Sequence, residues 1–169
     1  MDKIKMVACY MQSQGLVLAT GESCTAGLIA ATLADIPGAG ELLDCAFVVY
    51  SPSAKIKCLG VHGNTISAFG LTSEEVSREM ALGALVRGRA NVAISNTGVT
   101  DFMENGPPAG TQCFAWAFKV SDAQPLVFSE TRQFSGGRNE IRQASAEFAL
   151  VHLAELHQQL ALHTLKRAG

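Results

Sequence analysis

Leu16-Val17-Leu18-Ala19-Thr20-Gly21-Glu22-Ser23-Cys24-Thr25-Ala26-Gly27-Leu28-Ile29-Ala30-Ala31-Thr32-Leu33 is the stretch on which the fold turns. An apolar run of strand length, 16–19, gives way to a hydroxyl-rich turn and then to a second apolar run, 28–33, so a buried strand is expected to feed a helix. N–H groups unpaired in a helix's first turn, with the helix dipole behind them, favour phosphate or a developing oxyanion, and Ser23 and Thr25 add hydroxyls at the same spot. Taken alone, Ser23 reads as the helix cap before it reads as a nucleophile.

Outward from that junction, Ile4, Val7, Ala8 and Met11 lie on one face of a helix over residues 2–14, which Gly15 ends. Downstream, Pro37-Gly38-Ala39-Gly40 makes a turn, residues 41–43 read as a short helical piece, and 45–49 as another buried strand. Thr72 with Glu75 has capping-box spacing and opens a helix to about residue 87, with Val76, Met80 and Ala84 on one face. A strand over 91–95 follows. The apolar runs 111–120 and 125–128, the latter with its flanks, suit an antiparallel hairpin around 121–124, and a helix over 139–165 closes the chain. Alternating helices and buried strands followed by a hairpin predict a single α/β domain over residues 1–169, a three-layer α/β/α fold with a mixed, mainly parallel sheet. Its turns after residues 19 and 49 and its loop after Thr97 all leave carboxyl ends of strands, where open α/β sheets bind ligands.

The second chemical cluster is Tyr50-Ser51-Pro52-Ser53-Ala54-Lys55. Ser51 can cap a helix with Pro52 at its first position, which sets Lys55 one turn inside, pointing back toward the strand ends. A solvated helix lysine satisfies that pattern. Beside a Ser at a neighbouring strand end, it instead suggests a Ser–Lys nucleophile–base couple, with burial lowering the lysine's pKa and Tyr50 relaying a proton or orienting the amine. Cys24 is the alternative nucleophile, because a helix N-terminus favours a thiolate.

Composition narrows the function classes. Thirteen Lys and Arg against 15 Asp and Glu give a formal charge of -2, with no basic run between aromatics, which argues against nucleic acid as a partner. Apolar stretches break well short of membrane-spanning length and no signal-peptide core follows residue 5, so a cytoplasmic protein without a membrane partner is expected. Five scattered cysteines suggest reduced thiols, mostly in the core. No His, Cys, Asp and Glu grouping has metal-ligand spacing, so no metal and no cofactor is expected. His152, His157 and His163 do not stack on one helix face and read as solvent or interface residues; His62 reads as a loop residue without a partner. Ala149, Leu153, Leu156 and Leu160 form an apolar stripe suited to core packing or to the seam of a homo-oligomer. Trp116 reads as strand packing, and Gly136-Gly137 as a hinge or an anion-binding turn.

Gly21-Glu22-Ser23-Cys24-Thr25-Ala26-Gly27, Asp35-Ile36-Pro37-Gly38-Ala39-Gly40, Tyr50-Ser51-Pro52-Ser53-Ala54-Lys55 with Leu59-Gly60-Val61, and Ser73-Glu74-Glu75-Val76-Ser77-Arg78-Glu79-Met80 resemble, in order, the C-terminal domain of the competence/damage-inducible protein CinA. The resemblance implies a stand-alone form of that domain and a small-molecule nucleotide substrate. Family members include deamidases that convert nicotinamide mononucleotide to nicotinate mononucleotide and ammonia. It implies catalytic roles for Ser23, Tyr50 and Lys55. With those roles, backbone N–H groups near Cys24 and Thr25 are expected to form the oxyanion site, and Thr97, Thr111 and Arg138 or Arg142, with Gly98 and Gly110 beside them, to hold the ribose phosphate. Two segments depart from the family pattern. The glycine-rich loop is replaced by Val99-Thr100-Asp101-Phe102-Met103-Glu104-Asn105-Gly106, whose Asp101 and Glu104 would repel a phosphate they faced, and Gly137 stands where the family has Asp before Arg138. The rival expectations are an inactive member that binds a nucleotide or small anion, and a subunit that acts through its apolar final helix.

Overall fold

The computed structural model describes residues 2–120 and 124–167, with side chains to residue 162. Along the chain run α1 (Lys3–Gln14), β1 (Leu18–Glu22), α2 (Leu28–Ala34), a 3-10 turn (Ala39–Glu41), β2 (Leu43–Val48), α3 (Pro52–Leu59), α4 (Gly63–Phe69), α5 (Glu74–Leu85), β3 (Val92–Gly98), β4 (Thr111–Phe118), β5 (Leu126–Gln133) and α6 (Arg138–Arg167). The strands form one sheet in the order β2-β1-β3-β4-β5. β1 is parallel to both β2 and β3, whereas β4 is antiparallel to β3 and β5, so four strands point one way and β4 opposes them. This is the expected mixed α/β sheet; the hairpin's turn at 121–123 falls outside the described residues.

Two apolar layers hold the sheet, and β4 shows how the sequence divides them. Phe114, Trp116 and Phe118 face α1, α2 and α6, while Ala115 and Ala117, one step out of phase, face α5. Large rings fill the wide side, and Trp116 Nε1 donates to Ala149 O at 2.9 Å. Small residues on the other side let α5 approach the sheet closely. At Gly21 a Cβ would stand 3.0 Å from Leu59 Cδ1 and 3.2 Å from Met80 O, so a side chain there would force α3 and α5 off the central strand.

Several boundaries differ from the sequence expectation. β1 starts two residues later and takes in Thr20, Gly21 and Glu22, because a strand paired on both edges buries polar residues as readily as apolar ones when they find partners. β3 likewise extends to Gly98. Ser73, not Thr72, caps α5, accepting from Val76 N–H. The 3-10 turn precedes the expected position, and Leu43 already belongs to β2. Helix α4 was not expected, for it buries no side chain and so has no apolar face to read.

The histidines also depart from expectation. His62 does have a partner, Glu79, which accepts from its N–H at 2.8 Å and contacts Nδ1 at 3.1 Å. His152 lies between Glu130 and Glu155 and stacks on Phe148, and Tyr10 Oη meets His157 Nδ1 at 2.8 Å, so both are packing residues. The side chain of His163 lies outside the described residues. Of the cysteines only Cys24 and Cys113 are buried, fewer than expected. The Ala149, Leu153 and Leu156 stripe is core, and no described helix is long and apolar enough to cross a membrane.

Candidate active site

The carboxyl ends of β1, β2 and β3 lie side by side, and each delivers one part of the site. Ser23 follows β1 directly, with its N–H donating to Asn96 O at 2.9 Å as if the strand went on. The chain then reverses through Ala26 (φ 48°) and Gly27 (φ 94°) into α2, and Gly27, not Ser23, occupies the cap position. Glu22 takes over the capping. Its buried carboxylate accepts from the N–H groups of Gly27 (2.8 Å), Ile29 (3.0 Å) and Ala30 (3.0 Å) and from Thr20 Oγ1 (2.9 Å). The expected anion site at this helix start is therefore filled by the protein itself, and Ser23 Oγ is left free of capping duty.

Lys55 reaches that hydroxyl from the neighbouring strand end. Ser51 caps α3, accepting from Ala54 N–H with Pro52 at the first helical position, and Lys55 on the first turn runs back under the sheet edge, 1% exposed. Its Nζ lies 2.9 Å from Ser23 Oγ, 2.9 Å from Val49 O and 3.0 Å from Tyr50 O. Burial lowers its pKa to about 8. The three acceptors match the three donors of an ammonium; on deprotonation the amine keeps its two N–H bonds to the carbonyls and turns a lone pair to the Ser23 hydroxyl.

Tyr50 reaches Lys55 through its backbone carbonyl, while its half-exposed ring turns outward and its hydroxyl accepts from Arg138 Nη2 at 3.2 Å. The phenol is thus placed at the rim, not in a relay between Ser23 and Lys55.

A buried amide pair braces the turn from below. Asn96 Oδ1 accepts from Thr25 N–H (3.0 Å), Asn96 Nδ2 donates to Gln112 Oε1 (2.9 Å), and Gln112 Nε2 reaches Cys24 Sγ (3.4 Å) and Val99 O (3.0 Å). Arg142 closes it from α6, donating to Cys24 O at 2.9 Å and Thr25 O at 3.2 Å. These contacts commit the Thr25 N–H and the Arg142 guanidinium to the turn itself. Burial pushes the Cys24 thiol up, against the smaller lowering effects of Gln112, Arg138 and Arg142, so the helix-terminus argument for a Cys24 thiolate fails here.

A cleft of about 490 Å³ opens over Ser23 and Lys55, floored by Cys24, Thr97 and Gly98 and walled by Phe69, Leu71 and Met103. A smaller cavity of about 180 Å³ shares Cys24, Tyr50 and Met103 with it and ends at Thr100, Asp101 and Arg138. The Thr97 hydroxyl donates to Leu71 O and the Thr111 hydroxyl to Pro108 O. Neither Gly110 nor Thr111 lines the cleft; Gly110, at φ 81°, packs against Phe134 O, where a Cβ would collide. Sequence reasoning overlooked Glu22, Asn96 and Gln112. Among the described residues, no three His, Cys, Asp or Glu side chains gather as a metal site.

The CinA C-terminal domain family matches residues 2–157. A protein named nicotinamide-nucleotide amidohydrolase PncC, from Enterobacter agglomerans, is 38% identical over 146 residues, covering 85% of this chain and 87% of that protein. A CinA-like protein of Akkermansia muciniphila is 38% identical over 141 residues, 82% of this chain but 34% of that protein, so this chain spans about a third of the length of such relatives. The crystal structure of a CinA superfamily protein from Escherichia coli superposes with a TM-score of 0.84 at 31% identity, over 91% of this chain and 88% of that one. The competence/damage inducible protein CihA from Agrobacterium tumefaciens gives 0.80 at 34% identity, over 93% and 97%.

Proposed function

This chain belongs to the CinA C-terminal domain family, and within it we propose a metal-independent amidohydrolase that deamidates nicotinamide mononucleotide to nicotinate mononucleotide and ammonia. The observation that carries this reading is the Ser23 Oγ to Lys55 Nζ contact of 2.9 Å, made by an amine whose other two partners are carbonyls. The PncC relative, which this chain matches along most of its length, supports the choice of substrate.

In this mechanism Ser23 Oγ attacks the carboxamide carbon while Lys55 Nζ takes its proton. The Cys24 N–H, directly after the nucleophile, stabilises the oxyanion, since the Thr25 N–H is held by Asn96; one such donor contributes about 3 kcal/mol. The tetrahedral intermediate collapses as Lys55 returns the proton to the departing nitrogen, releasing ammonia and leaving an ester on Ser23. Water, deprotonated by Lys55, then attacks the ester; the acyl C–Oγ bond breaks as Lys55 gives the proton to Ser23 Oγ, and the acid is freed. The cycle starts from and returns to the neutral form of Lys55, a form that its lowered pKa makes more accessible than in an ordinary lysine.

The test is ammonia release from a panel of carboxamides headed by nicotinamide mononucleotide. Turnover there supports the reading. A ligand-dependent rise in melting temperature with no ammonia from any amide favours the second reading, a binding protein without turnover, for which the altered loop at 99–106 is the motive.

A further inference from the structure

Three groups of anion-binding donors at the starts of α2 and α6 and in the small cavity each already carry a carboxylate of this chain. At the start of α2 it is Glu22, with four donors. At the start of α6 it is Glu140, whose Oε2 accepts from Gly137 N–H at 2.7 Å. At the cleft mouth the Arg138 guanidinium pairs with Asp101 Oδ2 at 2.5 Å while also donating to Thr100 Oγ1 at 2.8 Å. Arg142 is held by backbone carbonyls, so it offers no substitute.

The three differ in how easily they yield. Glu22 is fully buried and braces the Ser23 turn, whereas the Asp101 side chain is 68% exposed and Arg138's is 53% exposed. Asp101 and Arg138 are paired in the lining of the small cavity adjoining the cleft, so that cavity carries one positive and one negative charge in place of a lone cation.

We propose that Asp101 is a specificity-determining residue: by occupying Arg138 it removes the advantage a phosphate would have there, so the cleft takes nucleoside-level carboxamides as well as mononucleotides. A phosphate entering the cavity must displace Asp101 or lie against its charge. The hydroxyl end of a ribose meets no such penalty, since it can donate to the carboxylate and accept from the guanidinium. The substrate class rests on the amidohydrolase reading, but the effect of Asp101 on charge is measurable as binding alone.

The experiment compares the affinities of nicotinamide mononucleotide and nicotinamide riboside by calorimetry at fixed ionic strength. Ser23→Ala protein is used to prevent turnover, with and without Asp101→Asn. With Asp101 present the two ligands should bind within about threefold of each other; Asp101→Asn should tighten the mononucleotide about tenfold and leave the riboside nearly unchanged. Asp101→Glu, which keeps the charge, should behave like Asp101 and so separates charge from loop damage. An unchanged ratio in Asp101→Asn, or a strong mononucleotide preference with Asp101 in place, overturns the proposal while leaving the amidohydrolase reading standing. Failure of both ligands to bind any of the proteins overturns the two together, and ammonia release by wild-type protein tests the amidohydrolase reading on its own.

Discussion

The Ser23 turn and the loop over residues 99–106 lie on the same sheet edge and line the same cleft, yet they are built in opposite ways. In the turn, Ser23, Cys24 and Thr25 are buried, and Glu22, Asn96 and Arg142 fix the backbone from three sides. In the loop, Phe102 is 82% exposed and Met103 53% exposed, and the contacts that tie Thr100 and Asp101 to the rest of the cleft run to Arg138. A nucleophile needs its position fixed to within fractions of an ångström, which buried polar partners provide. Selection among substrates needs only charge and shape at the rim, which an exposed loop can change without disturbing the chemistry.

The largest effect expected from this contrast is at Ser23. Ser23→Ala should lower amide turnover by at least about 10³-fold with ligand affinity and fold retained, because in the proposed mechanism the hydroxyl forms a covalent bond, and it caps nothing. Steady-state ammonia release beside ligand binding checks it, and wild-type turnover would move the nucleophile elsewhere. Next comes the brace. Glu22→Gln places an amide NH₂ among the N–H donors at the start of α2 and should cost about 2 kcal/mol of stability, seen in denaturant melts, with roughly a tenfold loss of kcat and little change in KM. An unaltered melt would mean that the turn does not depend on its carboxylate.

A smaller effect follows from Lys55. With its pKa lowered to about 8 from the usual 10.5, the folded protein releases this proton before the unfolded chain does. Stability should therefore gain with rising pH between those values, and Lys55→Met should lack that gain. Melting temperatures of both proteins across the window check it. Smallest of all, Phe102→Ser on the loop should change kcat and melting temperature by less than about twofold and 1 °C, since so exposed a ring contributes little packing. A large loss would show that the loop closes over the substrate.

How much of this was legible in the sequence follows the same division. The strand–turn–helix at Ser23, the Ser51-Pro52 cap that aims Lys55, and the Phe114, Trp116, Phe118 alternation all arise from local spacing, and local spacing is what a sequence displays. Glu22 was not legible as a cap, because a Glu between a strand and a Ser-rich turn looks like a solvated turn residue until the strand is known to be paired on both sides. Asn96 and Gln112 meet only through the β3–β4 register, in which Gly98 lies opposite Gln112. Arg142 reaches back to Cys24 from the far end of the chain, and no periodicity announces such a contact. Asp101 was legible as a charge in the wrong place for a phosphate, but not its pairing with Arg138.

In the proposed mechanism Lys55 acts as a neutral amine and takes the Ser23 proton. The most direct test is the kcat for ammonia release from nicotinamide mononucleotide by Lys55→Arg set beside Lys55→Met. A guanidinium keeps the positive charge but stays protonated at any working pH, so both variants should fall by a similar factor, on the order of 10³ or more. If Lys55→Arg instead keeps near-normal kcat and shows mainly an altered KM, Lys55 is a charge that binds substrate, and the Ser–Lys mechanism is contradicted.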